Sequence, residues 1–78
     1  MQILFFAQLK DVTGCSEISI SCDSMNTDDL WRRLIELYPG LSRFRSSVRL
    51  AKNSEYASLE DYFTDSDEVA LIPPVSGG

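Results

Sequence analysis

The chain has 78 residues, 44% of them apolar, and these suffice for one modest core. A chain of this size buries only a little over ~60% of the surface its unfolded form exposes, which leaves little room for an enclosed active site. A formal net charge of −5 argues against nucleic acid and anionic membranes, and the absence of histidine removes both the commonest general base near neutral pH and any Ser-His or Cys-His pair.

Residues 2–7, Gln-Ile-Leu-Phe-Phe-Ala, form a short apolar run rich in strand formers. Lys10-Asp11-Val12-Thr13-Gly14 has turn composition. From Glu17 to Cys22 the pattern alternates, with Ile18, Ile20 and Cys22 on one face, so a half-buried second strand and an N-terminal hairpin are expected. A helix follows, capped by Asn26 or Thr27, with Asp28 and Asp29 at the positive end of its dipole. Leu30, Leu34 and Leu37, and one position on Trp31, Ile35 and Tyr38, make its wide apolar face, and Tyr38-Pro39-Gly40 stops it. Trp31 reads as core.

Leu41 and Phe44 suit a short turn on the core, and residues 48–51 a third strand. Leu59, Tyr62 and Phe63 anchor an irregular stretch, and Asp65-Ser66-Asp67 reads as a turn whose acids lack calcium-loop spacing. Residues 68–72 form the last strand, stopped by Pro73-Pro74. The order β-β-α-β-β implies an α+β fold, a mixed sheet with one main helix packed across one face, for which the ubiquitin-like β-grasp is the economical solution. Residues 1–72 are expected to form that domain and residues 73–78 an extended tail.

Cys15 and Cys22 are too few for a structural zinc site and no metal is expected. The opening Met1-Gln2-Ile3-Leu4-Phe5-Phe6 has no basic segment or long apolar stretch of a signal peptide. A reduced cytoplasmic protein with free thiols is the expectation, and a disulfide the alternative. The negative charge serves either solubility or a basic protein partner.

The chain ends Pro73-Pro74-Val75-Ser76-Gly77-Gly78. Prolines stiffen the base of this tail and glycines thin its tip. Six extended residues at about 3.3 Å each reach roughly 20 Å, enough to enter a partner's pocket. A carboxylate is a poor acyl donor, because its leaving group would be oxide. Transfer of AMP from ATP supplies a good leaving group, and a sulfur nucleophile that displaces AMP leaves a thiocarboxylate able to deliver sulfur.

Phe5-Phe6-Ala7 with the turn to Gly14, Asn53 with Glu55-Tyr56, and Asp67-Glu68-Val69-Ala70 running through Ile72 to Gly78 together resemble the sulfur-carrier (small) subunits of molybdopterin synthase. The last block is the specific one. The resemblance implies that an E1-like adenylyltransferase consumes ATP to adenylate Gly78, and that a sulfurtransferase step makes the thiocarboxylate. The tail then enters the large synthase subunit and gives sulfur to cyclic pyranopterin monophosphate, forming molybdopterin. Two carriers act per substrate, in a heterotetramer of two small and two large subunits. The chain would be non-catalytic alone, with no permanently bound cofactor and most catalytic groups on the large subunit.

Strand parity places Phe6 and Ile72 on the open sheet face near the tail base, and Tyr56 matches a family contact position. These three are the candidate partner-binding residues, with coverage by the chain's own loops as the alternative. Ser66 stands where the family usually has glycine, so a turn requiring positive φ would be strained there. Lys52 replaces a commonly apolar residue, at a strand edge or reaching solvent along its stem. The rivals are a thiamine-type sulfur carrier, a ubiquitin-like modifier joined through Gly78 to a lysine, and an interaction domain with an inert tail.

Overall fold

In the computed structural model of this chain, which describes residues 1–58 and 60–74, the elements run β1 (Gln2–Phe5), α1 (Gln8–Thr13), β2 (Glu17–Ser19), β3 (Met25–Asn26), α2 (Thr27–Leu37), a 3-10 helix (Pro39–Phe44), β4 (Arg49–Lys52), β5 (Glu55–Tyr56), β6 (Tyr62–Phe63) and β7 (Glu68–Ile72). The main sheet has the order β2-β1-β7-β4-β5, and β3 and β6 form a separate pair. β1 and β7 run parallel at its centre, while β1–β2, β7–β4 and β4–β5 are antiparallel. This is the mixed sheet with one main helix across it that the element order implies.

Register sorts the side chains onto two faces, because paired residues point the same way. Phe5, Leu71 and Leu50 form one row on the helix side, and Ile18, Ile3 and Val69 another. These residues pack with Leu30, Trp31 and Leu34 of α2, with Leu41 of the 3-10 helix and with Phe63. The Phe5 and Tyr38 rings meet edge to face at 5.8 Å. Asn26 caps α2, its Oδ1 accepting from the Asp29 N–H at 2.8 Å. Thr27, the other candidate cap, is buried, and its hydroxyl donates to the Ser58 carbonyl at 3.1 Å.

Several expectations need correction. The segment read as a turn at 10–14 is mostly α1, with Leu9 buried and Gly14 closing it at φ 76. The hairpin is therefore an antiparallel pair joined by a helix. The second strand ends at Ser19 instead of Cys22, although Ile20 still exchanges hydrogen bonds with Met1. Leu37, at the last turn of α2, is 49% exposed, whereas Leu34 is fully buried and Tyr38 packs against the core. Tyr62 does not anchor the stretch it sits in; it is exposed and Phe63 is fully buried, since β6 alternates. Leu59 lies outside the described residues. Cys15 and Cys22 are half-buried free thiols.

Both sequence departures have a local solution. Ser66 does not adopt positive φ, so the expected strain is absent. Its turn is held instead by Asp67, whose carboxylate accepts from the Thr64 N–H at 2.7 Å. Lys52 is not at a strand edge but lies between Val69 of β7 and Glu55 of β5 on the core side, its amine 5.8 Å from the Phe63 ring centre and donating to the Tyr62 carbonyl at 3.0 Å.

Candidate functional site

The open face of the sheet is built by the same alternation that builds the core. The row Leu4, Ala70, Ala51 and Tyr56 crosses it from β1 to β5, and the next row places Arg49 beside Ile72. β1 ends at Phe5 opposite Leu71, and Phe6 follows directly on it. Phe6 is 44% and Tyr56 61% exposed, whereas Ile72 is half-buried. The chain turns sharply after Phe6. Ala7 has φ 52 and ψ −131, and the Phe6 and Ala7 carbonyls accept the first bonds of α1 from the Leu9 and Lys10 N–H groups.

Tyr56 and Ile72 thus lie in neighbouring rows of the open face, Ile72 at the end of β7, and Phe6 is exposed just beyond the end of β1. Pro73 is half-buried and Pro74 exposed. Val75, Ser76, Gly77 and Gly78 lie outside the described residues. Sequence reasoning missed Arg49. Its guanidinium carbon lies 4.2 Å from the centre of the Tyr56 ring, a cation–π contact. The alternation Val48-Arg49-Leu50 carried the signal, since it sets Arg49 on the face opposite two apolar residues.

The β4–β5 turn supports Tyr56. Asn53 and Ser54 have φ 50 and 74, as a tight two-residue hairpin requires. The Asn53 amide donates to Asp67 at 3.0 Å and its oxygen accepts from the Glu68 N–H at 3.0 Å, which ties this turn to the start of β7. The Thr64 N–H, and after it the Asn53 amide, hold the Asp67 carboxyl below its ordinary range.

On the helix side a groove of about 740 Å³ opens between the first turn of α2 and the segment before β4, with Trp31, Val48 and Leu50 among its walls. At its rim Asp28 pairs with Arg45 and, at 3.2 Å, with Arg32. The Arg45 hydrogen bond is the main cause of a lowered Asp28 carboxyl. None of the sequence-predicted site residues lies there.

The sequence profile of the ThiS family matches residues 3–78. The chain belongs to the ThiS family. It is 36% identical over 81 residues to the molybdopterin synthase sulfur carrier subunit of Chlamydomonas reinhardtii, covering 100% of this chain and 98% of that protein. The crystal structure of SAMP1 from Haloferax volcanii matches with a TM-score of 0.85 at 31% identity, over 100% of this chain and 98% of that one. A complex of subunits 1 and 2 of molybdopterin-converting factor from Helicobacter pylori matches in fold, with a TM-score of 0.69 at 24% identity over 99% and 96% of the two chains. Among the described residues, no helix is long and apolar enough to cross a membrane.

Proposed function

We propose that this chain is the sulfur carrier subunit of a molybdopterin synthase, with Gly78 as the carrier group. The Gly78 carboxylate attacks the α-phosphorus of ATP on an E1-like enzyme and pyrophosphate leaves. A sulfur nucleophile then attacks the acyl carbon, AMP leaves, and a thiocarboxylate remains. Its sulfur bonds to a carbon of cyclic pyranopterin monophosphate in the large subunit, with residues 73–78 as the inserted arm. Water then cleaves the acyl–sulfur bond and returns the Gly78 carboxylate. Two carriers serve each substrate in a two-plus-two assembly. The chain itself holds no cofactor, and ATP is consumed by the activating enzyme.

The observation that carries this reading is the full-length relationship to sulfur carrier subunits, at 36% identity for the algal protein. The name "subunit" and the Helicobacter pylori complex support a large-subunit partner. The end of β7 beside Phe6 and Tyr56 suits an arm aimed from an apolar face. A second reading, a ubiquitin-like modifier joined through Gly78 to lysines, is supported by the likeness to a protein named small archaeal modifier protein 1.

Intact-mass analysis after incubation with the E1-like enzyme, ATP and a sulfur donor tests both. Replacement of one oxygen by sulfur at Gly78 is expected. Isopeptide-linked conjugates without sulfur exchange favour the modifier, and an unchanged mass overturns both. Deleting Gly78, or adding a residue after it, is expected to abolish molybdopterin synthesis with the fold retained.

A further inference from the structure

Arg49 is placed where a sheet face meets the base of the arm and also borders the helix-side groove, and nothing assigned above explains its charge. It pairs in register with Ile72, is exposed, and lies against the Tyr56 ring. The ion pairs among the described residues use Met1, Arg32, Arg45, Asp28 and Asp65, and none includes Arg49. Yet the chain carries 12 acidic residues against 7 basic ones. The acids of the open face lie away from this row: Glu17 on the outer strand beside Leu4, and Glu68 at the opposite end of β7.

We propose that Arg49 makes the arm-base end of the open face a docking surface for a protein that presents a carboxylate within an apolar contact. The occupant is the large synthase subunit, so the proposal rests on the function proposed above. Three features carry it. Phe6, Ile72 and Tyr56 supply apolar and aromatic surface of the kind that dominates interface energetics, in which arginine is also enriched. An apolar partner laid over this row would desolvate an unpaired guanidinium, which is strongly disfavoured. A guanidinium over a ring face keeps its N–H fork for a carboxylate, which it can hold with two parallel bonds. Tyr56 thereby pre-organises the cation, and the carboxylate sets partner choice and register.

Calorimetric titration of the full chain against the large subunit tests this. Arg49→Ala is expected to weaken binding about tenfold or more and to flatten its salt dependence. Arg49→Lys recovers only part of the loss, and Tyr56→Leu loses part where Tyr56→Phe does not. Arg49→Glu is rescued by reversing one acidic residue on the partner. An unchanged thermal midpoint for Arg49→Ala confirms an intact fold. Equal affinities for wild type, Arg49→Ala and Arg49→Glu, with Ile72→Asp abolishing binding, overturn the role of Arg49 and leave the docking face standing. Wild-type affinity in Phe6→Asp and Ile72→Asp, or no binding by the wild type, overturns the docking reading itself. A loss in Arg49→Ala that inorganic phosphate competes for in the wild type points to a bound anion and overturns the carboxylate.

Discussion

Ala7, Asn53 and Ser54 hold backbone conformations that side chains disfavour, and among them Asn53 has compensating side-chain hydrogen bonds. Ala7 sits near the first central position of a type II′ turn, which glycine normally fills. Ala7→Gly should therefore stabilise the chain by about 1 kcal/mol, read as a higher urea midpoint at constant slope. Ser54→Gly should gain less, about 0.5 kcal/mol, since φ 74 in a hairpin turn strains a side chain less than the φ 52, ψ −131 of Ala7. Asn53→Gly should destabilise, because the Asn53 side chain bonds both Asp67 and the Glu68 N–H. Asp67 also sets a pH dependence. Its carboxyl is lowered by the Thr64 N–H and Asn53, and that of Asp65 by the Met1 ammonium and then the Cys22 N–H. A lowered folded-state value means stability that is fully present above the unfolded value, near 4, and lost as pH falls through the folded one. The melting temperature should be flat between about pH 7 and 5 and fall below about pH 4. Asp67→Asn should flatten that fall; an unchanged acid slope would contradict the assignment.

Among the elements, α2 was the most legible in the sequence. Its Asn cap, acidic first turn and repeating leucines all act within one helix, so local periodicity suffices. Asn26→Ala should cost about 1 kcal/mol. Leu34→Ala, at a fully buried position, should cost about 2–5 kcal/mol, and Leu37→Glu should stay within about 0.5 kcal/mol. Equal losses at Leu34 and Leu37 in chemical denaturation would contradict the exposure of the last turn. Leu37 matched the apolar repeat just as Leu34 did; only the tertiary neighbours separate them. α1 was not legible, because six residues give less than two turns and its Lys-Asp-Val-Thr-Gly end has turn composition. β3, β5 and β6 are two residues each and carry no period at all.

At the scale of the whole molecule, the two chain-end strands meet in the middle of the sheet. Strand parity alone placed Phe6 and Ile72 on the open face, because side-chain alternation is local. It could not place Arg49 beside Ile72, because register depends on which strands become neighbours. The central position of β1 and β7 has a measurable result. Amides of Val69 and Leu71 should exchange with solvent at the slowest rates, limited by global unfolding, and those of β3, β5 and β6 faster by local opening. Uniform protection would contradict this. The parallel pairing also has a mechanical consequence. β1 starts at Gln2 and β7 ends at Ile72, at opposite ends of one ladder. Tension between the amino terminus and the arm therefore loads the ladder in shear, straining its bonds together instead of peeling them apart in turn. Under the proposed function, a partner that pulled on residues 73–78 would load this ladder in shear.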